Sequence, residues 1–211
     1  MSFRIEEKLQ VNSNKFIDLI KWLEENKGYT KYPQRVVSSI YFDNDTYSMF
    51  HDSMEGCVPR KKIRLRTYNT NKLLNNNLNL EIKISSVEGR FKKVKKLNNL
   101  ELNKIIKKGF YDSQYGICKP KLKVTYLRNY YFVKNLRLTV DKKIKYSNYE
   151  NYINRSFFIT DPQISVEVKT NNINAIEYIN QKFPFQKIRF SKYARGIESF
   201  KKYNEKFLLN V

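Results

Sequence analysis

The sequence predicts an α+β protein built on an antiparallel β-barrel of about eight strands with a charged lumen, its helices placed in the connections. Two observations lead there. Charged residues recur at every second position in Arg60-Lys62-Arg64-Arg66, with Ile63 and Leu65 between them, and in Arg4-Glu6-Lys8, Glu81-Lys83 and Glu167-Lys169, while Arg137 and Asp141 share a parity four residues apart; most of the gaps are apolar. Alternate side chains of a strand share a face, so each segment sends its ions to one side of a sheet and its apolar residues to the other. The second observation is their number. Five ionic half-faces with arginine and carboxylate together suit a sheet curled on itself better than a flat sheet wetted on one side.

Residues 2–11 read as the first strand. An amphipathic helix follows, with the apolar stripe Phe16, Leu19, Ile20 and Leu23; Ser13 can cap its start and Gly28 its end. Residues 36–43 form a second strand, and Asn44-Asp45-Thr46 offers a cap for a short helix through Met54. Hairpin strands 60–69 and 78–85 come next, joined by a polar loop rich in asparagine from Asn69 to Asn79. Gly89 to Leu97 is a strand, after which Asn98 or Asn99 caps a helix carrying Leu102, Ile105 and Ile106 that stops at Gly109. Pro120 opens a strand through Val133, and Asn135 turns it into Leu136 to Asp141. Strand 163–170 precedes a helix around Ile176 and Ile179 that Pro184 ends, and a short strand, 187–190, feeds a C-terminal helix from Ser191. No repeat and no linker divides the chain, so residues 1–211 read as one domain.

Forty-one Lys+Arg against 20 Asp+Glu leave a formal charge of +21, which predicts attraction to polyanions. The chain is also rich in Asn, Ile and Tyr, so part of the surface lysine is compositional, and arginines within strands carry more information. A hydrophobic content of 41% excludes disorder despite 29% charged residues. Cys57 and Cys118 lack the spacing of a disulfide framework or a zinc site. No apolar run approaches the ~18 residues of a membrane span, and the chain starts without a signal-peptide core, so the expected location is the cytoplasm. The sole His51 has no partnered nucleophile. With no GxxxxGK[ST] loop, phosphate binding must come from side chains.

The alternating positions collect Arg4, Lys8, Lys62, Arg64, Arg66, Lys83, Arg137 and Lys169 against only Glu6, Glu81, Asp141 and Glu167. Two like charges ~4 Å apart repel by about 4 kcal/mol at an effective dielectric of ~20, so an enclosed cationic surplus calls for an anion. A triphosphate or polyphosphate has the charge density, and the arginine fork matches phosphate oxygens. The competing reading makes these segments solvated outer faces with weak ion pairs.

The motifs taken in order are Arg4-x-Glu6-x-Lys8, Ser39-Ile40-Tyr41-Phe42-Asp43, Lys62-Ile63-Arg64-Leu65-Arg66-x-Tyr68, Leu80-Glu81-Ile82-Lys83, and Pro120 through Tyr126-x-Arg128. Arg137-x-Thr139-x-Asp141, Val166-Glu167-Val168-Lys169 and Ser191-Lys192-Tyr193-x-x-Gly196 complete the series. The set resembles the VTC-domain polyphosphate polymerases of the triphosphate tunnel metalloenzyme superfamily, which are CYTH-like. That resemblance implies a tunnel-shaped antiparallel barrel that binds ATP with Mn²⁺ or Mg²⁺ and transfers the γ-phosphate onto a growing polyphosphate chain. It implies that Lys8, Arg64, Arg66, Lys83, Arg137 and Lys192 act on the phosphates. Arg4, Lys62, Lys93, Arg128, Lys169 and Ser191 would bind substrate, and Glu167 would hold the metal with Glu6 as a second candidate. On the residues alone, Arg128 shares strand parity with Val124 and Tyr126, so it joins the ionic face only through a bulge or strand end. Lys92 and Lys93 are alternatives for the inward position.

Triphosphatases of the CYTH type carry Glu-x-Glu-x-Lys on their first strand, where this chain has Arg4 in place of the first glutamate. A cation there favours gripping phosphate over activating water. The acceptor phosphate is already ionised near neutral pH, so transfer can rest on alignment and charge stabilisation. Two alternatives stay open: a triphosphatase acting on inorganic triphosphate, a nucleotide or an RNA 5′ end, and a non-catalytic binder of polyphosphate or nucleic acid that could stack bases on Tyr126, Tyr130, Tyr131 and Phe132.

Overall fold

The alternation is realised in strands whose two faces differ in chemistry. A computed structural model describes residues 5–68, 78–149, 157–172, 174, 175, 177, 178, 185 and 188–208. Its elements are β1 (Ile5–Val11), α1 (Ser13–Glu25), β2 (Tyr29–Asp43), α2 (Ser48–Glu55), β3 (Arg60–Tyr68), β4 (Asn79–Ser86) and β5 (Gly89–Lys96). They continue with α3 (Asn99–Lys108), β6 (Phe110–Asp112), β7 (Gly116–Val133), β8 (Leu136–Asn148), β9 (Ile159–Thr160), β10 (Ile164–Thr170) and α4 (Lys192–Leu208). Hydrogen bonding orders the strands β1-β10-β8-β7-β2-β3-β4-β5, with β6 on β7 and β9 on β8. The α+β, antiparallel class therefore stands. Among the described residues no helix is long and apolar enough to cross a membrane.

Several boundaries move. Asn12, one residue before Ser13, caps α1 by accepting from the Lys15 amide at 2.9 Å. The left-handed residue after α1 is Lys27, not Gly28. Asn44 does serve α2, accepting the Ser48 amide at 2.9 Å, while Asp43 takes the Met49 and Phe50 amides at 3.0 and 2.9 Å. Asn98 caps α3 in a reciprocal box with Glu101. β2 and β8 extend beyond 36–43 and 136–141. Residues 188–190 form no strand; the Ile188 amide instead donates to the Lys8 carbonyl at 2.8 Å. Ile176, Ile179 and Pro184 lie outside the described residues, as does the stretch 69–77.

The chain divides into two compact units. The first comprises residues 1–36, 126–144 and 160–190. In it β1 pairs antiparallel with β10, and β10 with β8. One face of these strands offers Leu9, Val11, Val166, Val168, Leu138 and Val140 to Leu19, Trp22 and Leu23 of α1. Each such side chain contributes about 1.5–3 kcal/mol on burial, which is why the other face can be left to ions.

The second unit comprises residues 37–125, 145–159 and 191–211. In it β2, β3, β4 and β5 pair antiparallel in sequence order. Ile63 and Leu65 are fully buried between the charged positions of β3. α2 packs on β3 and on α4. A Cβ at Gly196 of α4 would come within 2.5 Å of Leu122 and 2.8 Å of Tyr146, so the helix approaches β7 and β8 closely at that residue.

Candidate functional site

Register assembles the ions of the second unit into rows. Ser39, Arg66 and Asn79 face one another across β2, β3 and β4, and Tyr41, Arg64 and Glu81 make the next row. Lys62, Lys83 and Lys92 then form a rung across β3, β4 and β5. Like charges placed directly opposite destabilise a sheet, and this rung holds three.

Glu81 is the carboxylate at the centre. It is 3% exposed, and its Oε2 accepts from Arg64 Nε at 2.8 Å and lies 3.6 Å from Arg66 Nη1, while Oε1 accepts from Lys92 Nζ at 2.6 Å. Burial alone would raise its pKa, but Arg64, Arg66 and Lys92 hold it at about 2. Arg64 Nη1 donates to the Tyr41 hydroxyl at 3.0 Å, and Arg66 Nε to Ser39 Oγ at 3.1 Å. Tyr41 is fully enclosed, and burial opposes its ionisation, yet Arg64, Arg66 and Lys192 bring the phenol down to about 8. Its ring stacks on Tyr193 with centroids 5.2 Å apart, and Tyr193 donates to Asp43. Lys62 Nζ donates to Ser191 Oγ at 2.8 Å, and that oxygen also accepts the Ala194 amide at the start of α4.

The second unit thus brings together Arg64, Arg66, Lys62, Lys83, Ser191 and Lys192. It does not bring in Lys93, which pairs with Ile82 on the other side of the sheet; Lys92, opposite Lys83, takes the inward place. Lys61 also points away from the arginines, binding both oxygens of Asp112 at 2.9 Å.

The first unit carries a mixed face. Glu167 sits between Lys8 and Thr139, Lys169 between Glu6 and Arg137, and Ser165 between Gln10 and Asp141. Glu167 is buried; it lies 3.1 Å from Lys169 Nζ and accepts from the Thr139 hydroxyl at 3.5 Å. Lys8 Nζ donates to the Phe190 carbonyl at 2.9 Å. Arg128 grips Asp141 with two bonds, Nε to Oδ1 at 2.6 Å and Nη2 to Oδ2 at 2.8 Å. Burial opposes its charge, but Tyr126, Asp141 and Glu167 outweigh that and raise its pKa well above the ordinary value. Arg128 and Tyr126 share a face, with 5.3 Å between guanidinium and ring, so ordinary strand parity suffices. The Glu6 side chain and Arg4 lie outside the described residues.

Among the described residues no three acidic, histidine or cysteine side chains gather as a metal cage. Glu167 with the neighbouring Thr139 hydroxyl is a hard oxygen set, and Mg²⁺ commonly binds one or two carboxylates plus substrate phosphates. The donors present fit that mode. The sequence reading holds Ser39 and Tyr41 only as members of a motif, leaves Lys92 as an alternative to Lys93, and counts Asp141 on the ionic face without pairing it to Arg128. Ser39 and Tyr41 alternate ahead of Asp43, a period-two signal that could have found them.

Each unit therefore carries an antiparallel ionic face, arginine-rich in the second and with a buried carboxylate in the first. The sequence model of the VTC domain matches residues 3–201, and the chain belongs to the VTC-domain family. The structure resembles that of a putative adenylyl cyclase, HpAC1 from Hippeastrum, described as having a dominant triphosphatase activity, with TM-score 0.55 and 15% identity over 93% of this chain and 96% of that one. This likeness supports the fold. A putative adenylate cyclase from Vibrio parahaemolyticus gives TM-score 0.49 and 13% identity over 90% and 95% of the two chains. The RNA triphosphatase Pct1 of S. pombe, in complex with the Spt5 CTD, gives 0.34 and 9% over 97% and 77%. Comparison with curated protein sequences finds no match.

Proposed function

We propose that the chain is a metal-dependent polyphosphate polymerase that transfers the γ-phosphate of ATP onto a growing polyphosphate chain. The observation that carries this reading is the cationic surplus around Glu81: one carboxylate faces Arg64, Arg66 and Lys92, with Lys62 and Lys83 on the adjoining rung. Arg64 and Arg66 grip phosphate oxygens by charge-assisted hydrogen bonds, and Lys62, Lys83 and Lys192 add point charges around them. In the first unit, Lys8, Arg128, Arg137 and Lys169 give the strands that carry Glu167 their own phosphate-binding cations. Glu167, with Glu6 as a second candidate, holds Mn²⁺ or Mg²⁺, which when bound neutralises phosphate charge.

A terminal oxygen of the polyphosphate acceptor attacks the γ-phosphorus as the bond to the β,γ-bridging oxygen breaks, and ADP leaves with that electron pair. No proton has to be removed from the acceptor, so the site needs aligned cations and no general base. An ATP-consuming reaction fits a cytoplasmic setting. A second reading, hydrolysis of a triphosphate, draws support from the fold shared with HpAC1, whose described activity is triphosphatase.

Incubation with ATP and Mn²⁺ or Mg²⁺, followed by separate assays of polyphosphate and free phosphate, distinguishes them. The expected products are ADP and polyphosphate, and Glu167→Gln should abolish turnover while retaining the fold. Phosphate release without chain growth favours the triphosphatase. Tight polyphosphate binding without turnover favours a non-catalytic binder.

A further inference from the structure

The first half of β2 contributes a cation that the ion pairs described above do not use. Arg35 is half-buried, and its Nε is buried without an acceptor. Among the described residues no carboxylate pairs with it. Its guanidinium carbon lies 5.7 Å from the ring centroids of both Tyr32 and Tyr130, which meet edge to face at 5.6 Å. A second aromatic pair adjoins them: Tyr29 stacks on Phe132 at 6.0 Å, and Lys31 Nζ lies 4.9 Å from Phe132 and 5.9 Å from Tyr32. Tyr130 and Phe132 follow Arg128 at alternate positions of β7, so these rings continue the face that carries the Arg128–Asp141 pair. All these residues belong to the first unit.

Cross-strand packing accounts for the rings alone. It does not account for a guanidinium partly removed from water with no acid to meet it, an arrangement that costs free energy until an anion arrives. Inorganic phosphate would answer the charge and leave the Tyr32 ring, 41% exposed, unused. A nucleotide answers both, because it joins an anion to a planar base.

We infer that Tyr32, Arg35 and Tyr130 form a nucleoside-recognition ledge, on which the base of a nucleoside triphosphate stacks against Tyr32 while Arg35 meets its α-phosphate. The inference rests on the proposed use of ATP and adds selection of a nucleotide over inorganic triphosphate. Tyr130 backs the guanidinium and holds it toward the ligand.

Calorimetric titration of the full chain with a non-hydrolysable ATP analogue and with inorganic tripolyphosphate tests this without turnover. Base–aromatic stacking supports a loss of about 5- to 150-fold in nucleotide affinity for Tyr32→Ala, with tripolyphosphate affinity kept within about twofold. Tyr32→Phe should bind both ligands as wild type does, and a thermal melt shows that the variants fold. Equal losses for the two ligands, or no loss for the nucleotide, overturn the ledge. So does tighter binding of a single-stranded oligonucleotide without a 5′-triphosphate, which would assign the rings to nucleic acid. If wild type binds tripolyphosphate but Tyr32→Ala does not discriminate, only the ledge fails; if wild type does not bind tripolyphosphate, the proposed function fails and the ledge with it.

Discussion

Replacing Glu81 by glutamine tests whether one buried carboxylate holds the arginine face together until a phosphate arrives. The carboxyl sits at about 2 in the folded chain against an ordinary 4.5, because Arg64, Arg66 and Lys92 outweigh the burial that would otherwise raise it. At ~1.4 kcal/mol per pKa unit, the shift corresponds to about 3 kcal/mol in favour of the charged form. The folded value lies below the unfolded one. Its contribution is therefore complete above pH 4.5 and is lost as pH falls toward 2.

Glutamine keeps the size of the side chain but strands Arg64, and breaking one partner of a buried pair costs about 3–5 kcal/mol. Glu81→Gln should thus lose about 3 kcal/mol of stability at neutral pH, and the gap to wild type should narrow as pH falls from 4.5 toward 2. Tripolyphosphate supplies the missing negative charge, so it should stabilise the variant more than wild type. Chemical denaturation with and without tripolyphosphate, repeated across pH, measures both effects. A loss below about 1 kcal/mol, the range of an exposed ion pair, or equal stabilisation of the two proteins by tripolyphosphate, would refute the reasoning.

Two further outcomes follow from the same unit. The Tyr41 phenol, at about 8, should ionise well before ordinary tyrosines, and its folded value below the ordinary 10.0 means it adds stability as pH rises between those two values. Tripolyphosphate screens Arg64, Arg66 and Lys192, so it should raise this pKa; phenolate absorbance near pH 8 that does not fall on ligand addition, with Tyr41→Phe as the control, would remove Tyr41 from the site. Gly196→Ala places a Cβ 2.5 Å from Leu122 and 2.8 Å from Tyr146. Overpacking costs about 1–3 kcal/mol against about 1 kcal/mol gained in helix propensity, so the variant should melt below wild type, and a higher melting temperature would contradict the close approach of α4.

Strand faces were legible because a period of two is a local property. Lys62, Arg64 and Arg66 fall together on β3, and Glu167 and Lys169 on β10, as alternation requires. The ends of elements were less legible. Tyr29 to Gln34 shows no alternation and is exposed throughout, so the first half of β2 leaves no hydrophobic trace. Lys187 to Phe190 shows the reverse failure: a strand-like pattern whose described residues form no strand. A pattern makes a strand only where another backbone completes the ladder.

Residues whose role depends on a partner strand were the ones misplaced, and register explains why. Choosing between Lys92 and Lys93 requires knowing that Lys83 faces Lys92, and nothing within β5 says so, since every residue after Gly89 on that strand is exposed. Along the sequence, Val124 and Tyr126 at the same parity mark an apolar face, which leaves a bulge or strand end as the route of Arg128 to the ions. Yet Leu122, also at that parity, is buried close to Gly196 of α4, so an apolar residue on this face of β7 can report a covering helix and does not place Arg128 on the far side. Its charge is then answered by Asp141 thirteen residues away on β8, a pairing that exists only once the strands are assembled. The same holds for Glu81. Along its own strand it is one acid next to Lys83, and its place as the counter-ion of two arginines and a lysine comes from β3 on one side and β5 on the other.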